Sequence, residues 1–311
     1  MLLLKLAWRN LFRNVRRTVL TVMLVGFSLV ALILTDGIMI GIQESMVGTI
    51  TETLAGEAQI HRRGFLDDMD DELYITDPDP IIERVAANEA IAAYAPRVLS
   101  AGMITSPYNI AGGLIYGVNA DREVSISKIK RAIVEGDYLS GSTRQILLGK
   151  PMVELLEVSL GDRIVVTVSE VETGEISQEL FRLSGIIEFG VPAMDEGLAF
   201  INLDVAQRLV GLDEGIHEIA VRFKNPEDAK NRDHAFYREF NNDEIEALSW
   251  LDFSPAVSAL IEMANYGTLI IGIVLFLLAT LGLINSLFMS IYERIYEFGV
   301  AKAIGTTPRG I

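Results

Sequence analysis

The sequence predicts a membrane protein in which two transmembrane α-helices flank, along the chain, a mixed α+β extracytoplasmic domain of two lobes. Three observations predict it. Between Arg17 and Asp36 lie 18 consecutive residues without a charge, and between Glu262 and Glu293 another 30; a hydrocarbon core of about 30 Å takes ~20 helical residues. The 311 residues are 50% hydrophobic yet 22% charged, with a mean hydropathy of +0.34, a mixture that points to unmixed parts. The charge is also partitioned. Residues 44–262 carry 39 acidic and 18 basic side chains, a net of −21, whereas the stretch through Arg17 carries +5 and that after Tyr292 carries +1.

This partition excludes whole classes of function. A nucleic-acid binder is ruled out, because the main charged domain would repel phosphate. With no cysteine in the chain, disulfide scaffolds and zinc fingers are excluded as well.

Residues 1–17 contain Lys5, Arg9, Arg13, Arg16 and Arg17 and no acid, and such flanks stay in the cytoplasm. Leu4, Trp8, Leu11 and Val15 recur at helical spacing beside the cations. The segment is therefore either a basic amphipathic helix in the inner headgroup plane, anchored by Trp8 and gaining about 1 kcal/mol per cation from anionic lipid, or an ordinary basic flank. A cleaved signal peptide fits poorly, since the flank is long and no A-x-A-like site follows Leu34. Residues 18–54 form the first membrane helix and a stalk, because Ile38, Ile42, Met46, Ile50 and Leu54 continue at i+4 beyond Asp36 and stop before Gly56.

Residues 55–262 form the outer domain, with lobes at about 55–140 and 141–252. Alternating apolar stretches at 57–61, 97–105 and 113–118 read as strands. Asp79-Pro80 starts a helix that Pro96 ends, and a second helix runs over 126–135 to Gly136. From Gln145 come a strand at 146–148, a helix at 152–157, a turn at Leu160-Gly161-Asp162, and a hairpin of 163–171 and 179–187 around Thr173-Gly174. Strands at 198–202 and 216–223 follow, Asn225-Pro226 caps another helix, and 253–263 leads back to the membrane.

Residues 263–292 form the second membrane helix. Gly282, Ser286 and Ser290 make an i+4 stripe of small residues with Asn285 beside it, a surface that lets a partner helix approach closely. Arg294, Lys302 and Arg309 follow, so both ends of this chain are expected in the cytoplasm and the acidic domain outside.

Chemistry is sparse. Asp67, Asp68, Asp70, Asp71 and Glu72 cluster without the D-x-D-x-D-G spacing of a calcium loop and read as a solvated loop. His61, His217 and His234 are scattered and read as surface residues. Neither G-x-S-x-G nor H-E-x-x-H occurs, and Gly149-Lys150 lacks the upstream glycine and the Ser/Thr of a phosphate loop. No catalytic residue, metal or cofactor is expected of this chain.

The segment Glu293-Arg294-Ile295-Tyr296-Glu297-Phe298-Gly299-Val300-Ala301-Lys302-Ala303-Ile304-Gly305 resembles the E-R-x-x-E-F/I-G-x-x-K/R-A-I/L-G stretch after the second membrane helix of bacterial ABC-transporter permeases of the FtsX-like, MacB-like type. These include the lipoprotein-releasing and macrolide-exporter permeases. Ala7-Trp8-Arg9-Asn10-Leu11-Phe12-Arg13-Asn14 is similar to the family's opening, and Ile146-Leu147-Leu148-Gly149-Lys150 with Leu160-Gly161-Asp162 to its outer domain. The resemblance implies that residues 293–311 hold a cytoplasmic coupling helix docking on an ABC ATP-binding subunit, through Glu293, Arg294, Glu297, Phe298, Gly299, Lys302, Ala303 and Gly305. It implies an inner-membrane permease without catalysis of its own, paired with a second copy or a homologue. The function expected first is lipoprotein release toward the outer membrane, with lipoprotein or amphipathic cargo; macrolide-type efflux and cell-division signalling share the motifs. Family members continue through two further membrane helices, so this chain reads as an N-terminal portion. A two-helix sensory receptor is the reading from another class.

Overall fold

The structure is a computed structural model that describes residues 15–140, 144–305 and 307. Lys5, Trp8, Arg9 and Arg13, and the side chain of Arg17, lie outside the described residues; Arg16 is exposed. The chain divides into two compact units, Met46–Ser258 and the two ends Met1–Ser45 and Ala259–Ile311.

The unit built from the ends is helical. A first long helix runs over Val15–Ile50 and a second over Pro255–Glu293. Among the described residues, the stretches Thr18–Ala55 and Pro255–Glu293 are long and apolar enough to cross a membrane, and neither has its apolar window buried within the chain. The helices meet through side chains: Thr21 Oγ1 donates to Ser286 Oγ at 3.0 Å, and Gln43 Nε2 to Asn265 Oδ1 at 2.9 Å.

The other unit is built on one mixed sheet of ten strands: β1 (Ala58–Arg62), β2 (Ile91–Thr105), β3 (Ile110–Val118), β4 (Ile133–Gly136), β5 (Gln145–Gly149), β6 (Arg163–Ser169), β7 (Ile176–Ile187), β8 (Leu198–Asn202), β9 (Glu218–Phe223) and β10 (Ile245–Ser249). Their order is β10-β1-β9-β2-β3-β8-β5-β7-β4, with β6 joined to both β2 and β7. Pairing thus closes a ring of six strands, β2-β3-β8-β5-β7-β6, and closure removes exposed edges. Beside the ring, the first part of β2 pairs with β9, and β9 with β1, which also carries β10.

The strand β2 makes this possible. Fifteen residues long, it spans about 50 Å at ~3.3 Å per residue. It pairs with β9 over Ile91–Arg97 and with β6 over Met103–Thr105. Gly102 sits where it enters the ring, and an added Cβ there would lie 2.6 Å from Ile115 Cδ1 and 2.7 Å from the Thr167 carbonyl. Only glycine lets β2, β3 and β6 close at that point.

Several expectations are corrected. A division into lobes at 55–140 and 141–252 does not describe the sheet, because β9 and β10 return to pair with β1 and β2. The helix at Asp79 ends at Ala87, where Asn88 Oδ1 accepts from the Ala90 N–H and turns the chain. Pro96 then lies inside β2, one residue before the β3 ladder begins at Arg97. The expected helix at 126–135 is a short helix at Ala120–Glu123 capped by Asn119, a 3₁₀ turn at Ile129–Ala132, and β4. The 3-residue interval between buried Ile126 and Ile129 belongs to this irregular segment. The strands at 145–149, 163–169, 176–187 and 198–202 and the helix at 150–156 lie where the sequence placed them, to within a few residues.

Candidate functional site

At Arg294 (φ −108°, ψ 10°) the second long helix breaks and a separate nine-residue helix, Ile295–Ala303, begins. Arg294 Nε donates to Glu297 Oε2 at 2.7 Å, and its guanidinium carbon stands 5.4 Å from the Phe298 ring centroid. These three residues clasp the break from inside. Glu297 lies in the first helical turn and Lys302 in the last, the arrangement the helix dipole favours. Gly305, at φ +93°, ends the segment with its N–H on the Lys302 carbonyl at 3.1 Å. Lys302 and Ala303 are exposed.

Two features of this helix face outward. Gly299 lies mid-helix, where glycine is less favourable than alanine by about 1 kcal/mol, and an added Cβ would meet nothing within 4 Å. The described chain makes no contact there that requires glycine. Tyr296, Val300 and Ile304 recur at i+4 and are 87%, 65% and 80% exposed, forming one apolar stripe. Sequence reasoning concentrated on the charges and glycines and missed this stripe, although its four-residue recurrence was visible.

The small-residue stripe of the second long helix divides. Gly282 faces the chain's own first helix, so closely that an added Cβ would lie 2.3 Å from Leu24 Cδ2, and Ser286 receives the Thr21 hydroxyl. Ser290 is half-buried and Asn285 exposed. Gly282 and Ser286 thus serve contact within the chain.

A second constellation lies in the sheet unit, where the first helix ends in a π-helical turn at Thr51–Ala55. Arg97, fully buried on β2, donates through Nη1 to Glu218 at 2.6 Å and through Nη2 to Glu123 at 2.6 Å. The same Nη2 reaches the Leu54 carbonyl at 2.7 Å. Burial opposes the arginine's charge, but the carboxylates of Glu123 and Glu218 outweigh it and raise its pKa. Burial raises the Glu218 carboxyl in turn, with Arg97 pulling the other way. A lone arginine and two distant glutamates gave no sequence signal.

The histidines are a correction. His61 and His217 are buried. His217 accepts from the Leu99 N–H at Nδ1 and donates from Nε2 to the Asp71 carbonyl, which fixes the neutral ring. His61 Nε2 donates to Gln59 Oε1 at 3.0 Å, with Nδ1 3.2 Å from the His217 carbonyl, and burial pushes its pKa down to about 3. In the acidic cluster, Asp71 accepts from Ser100 Oγ at 2.8 Å and Asp70 from the Glu72 N–H at 3.0 Å. These carboxylates are partly engaged in holding the loop. Gly149 is set by packing: an added Cβ would lie 1.8 Å from the Asp195 carbonyl oxygen.

Residues 18–232 match the sequence profile of the MacB-like periplasmic core domain. The chain is 21% identical over 300 residues to the lipoprotein-releasing system transmembrane protein LolC of Neisseria meningitidis serogroup B, covering 94% of this chain and 70% of the relative. It is 22% identical over 237 residues to a protein of the same description from Xylella fastidiosa, covering 71% of this chain. Of that second relative's length, the match spans only 56%. Among solved structures, the periplasmic region of MacB from Actinobacillus actinomycetemcomitans aligns with 67% of this chain and 94% of its own, at 13% identity and a TM-score of 0.45.

Proposed function

This chain belongs to the MacB-like periplasmic core domain family, and on that footing we propose that it is the membrane subunit of an inner-membrane ABC transporter, coupling ATP hydrolysis in a partner subunit to rearrangement of its outer domain. The observation that carries the reading is the terminal helix. Its exposed Tyr296, Val300 and Ile304 stripe, beside the open face of Gly299, has the character of a helix that lies in an apolar groove of another protein. Glu293, Glu297 and Lys302 then set orientation at the rim.

The two long helices span the membrane in this reading, with both ends of the chain cytoplasmic and the sheet unit periplasmic. No covalent chemistry is asked of the chain. Nucleotide binding in the partner need only favour one of two arrangements, which requires differential contact between states. A second permease copy or a homologue covers the membrane surfaces that remain exposed, Asn285 among them. The LolC relatives support lipoprotein release as the transported function, with lipoprotein or another amphipathic molecule as cargo. The test is to reverse charge and add bulk together, with Glu297→Lys and Gly299→Trp. Loss of ATPase co-purification and stimulation supports the reading, and unchanged values contradict it.

A further inference from the structure

The end of the first helix presents a capping problem. The last carbonyls of a helix have no partner within it and carry its negative dipole end. Here three of them are taken up one by one by separate parts of the sheet unit. Thr53 O accepts from the Lys128 N–H at 3.2 Å, Leu54 O from Arg97 at 2.7 Å, and Ala55 O from Gln59 Nε2 at 2.8 Å. Leu54 itself is buried in the apolar cluster with Val118, Leu147, Ile187 and Phe200.

Arg97 is the member that costs most to install. Its charge is sealed from solvent with Glu123 and Glu218, both at most 3% exposed. A buried ion triad is a weak source of stability, since apolar side chains of the same volume often do as well. What the triad adds is direction: Glu123, through Nε and Nη2, and Glu218, through Nη1, hold the guanidinium from two elements, leaving the second N–H of Nη2 aimed at Leu54 O.

We infer that Arg97, held by Glu123 and Glu218, is a positioning residue that locks the last turn of the first helix to β2 and β9, so that movement of that turn is passed to the sheet. The inference rests on the coupling function proposed above and names the joint through which coupling acts. Gln59 and Lys128 fasten the flanking carbonyls, and Arg97 is the contact that reaches the centre of the sheet.

The absence of cysteine makes the test clean. Spin labels are placed at Thr49→Cys and Glu154→Cys in the full chain in lipid nanodiscs, and the distance distribution is measured. Two variants are compared with the native sequence: Arg97→Lys, which keeps the charge and loses the fork, and the apolar triple Arg97→Met, Glu123→Leu, Glu218→Leu, which leaves no unpaired charge. The native chain is expected to give one narrow peak and both variants a broadened one, with hydrogen-exchange protection of β2 and β9 retained. Native distributions in both variants overturn the joint. Loss of β2 and β9 protection in both also overturns it, by showing that the triad serves folding alone. In the complex with the ATP-binding partner, Arg97→Lys is expected to keep co-purification and lose the nucleotide-dependent change in label distance. If the native complex shows no such change, the coupling function fails, while the distances in the chain alone still decide the joint.

Discussion

Arg97 Nη1 and Glu218 Oε1 stand 2.6 Å apart with their side chains 0% and 3% exposed, so neither charge has water to fall back on. Removing the cation strands two carboxylates, and Arg97→Met is expected to cost about 3–5 kcal/mol. Glu218→Gln keeps an acceptor oxygen and removes a desolvated charge, so its cost stays under about 1 kcal/mol. Urea unfolding of the full chain in mild detergent, followed by fluorescence of buried Trp250, measures both. The sign with pH follows from burial. A carboxyl whose folded pKa is raised loses its favourable contribution as pH rises through that value. Glu218→Gln therefore gains on the native protein as pH rises above the unfolded carboxyl value of about 4.3.

His61 predicts the opposite slope. Its folded pKa of about 3 lies below an unfolded value of ~6.5. The neutral ring is favoured in the fold, so stability is intact above ~6.5 and falls as the solution is acidified toward ~3, by up to about 1.4 kcal/mol per pH unit. His217, lowered by the same burial, adds to the effect. His61→Gln is expected to flatten the acid limb of a stability–pH curve measured by thermal unfolding.

Gly149 tests whether the central motif serves packing or ligand binding. An added Cβ would collide with the backbone of Asp195, whose buried carboxylate accepts the Phe189 and Gly190 N–H groups at 2.7 and 3.0 Å. Backbone on both sides leaves little to yield. Gly149→Ala is expected to cost about 3 kcal/mol or more, whereas Lys150→Ala, whose exposed ammonium is 3.9 Å from Glu188, costs ~0.5 or less. Chemical denaturation of the two variants separates them.

Gly282 makes a matching test between the long helices. A side chain there meets Leu24, and Gly282→Val is expected to cost about 1–3 kcal/mol through overpacking. Adding Leu24→Ala returns part of that loss. Removing the Thr21 to Ser286 hydrogen bond costs about 0.6 kcal/mol. Thermal unfolding in detergent across the double-mutant cycle gives the coupling.

The legible parts of the chain were those encoded over short distances. Charge-free runs marked the long helices, and the texture from Gln145 to Ile187 gave strand, helix, turn and hairpin because each element neighbours the next. The interleaving of β9 and β10 with β1 was hidden, since partners such as Ala58 and Ser249 are joined by tertiary contact alone. Pro96 misled because its backbone restriction is as compatible with a strand position as with a helix end. Arg97 carried no pattern, as its partners come from β9 and from the turn after β3. In the terminal helix the charges and glycines were legible from resemblance, and the exposed stripe emerged once burial was known.

The coupling account stands on a membrane between the sheet unit and the terminal helix. Single cysteines introduced at Glu172 and at Lys302, both exposed, are treated in intact spheroplasts with a membrane-impermeant maleimide. The account predicts prompt labelling at 172 and labelling at 302 only after the membrane is permeabilised; equal labelling of the two positions in intact spheroplasts would contradict it.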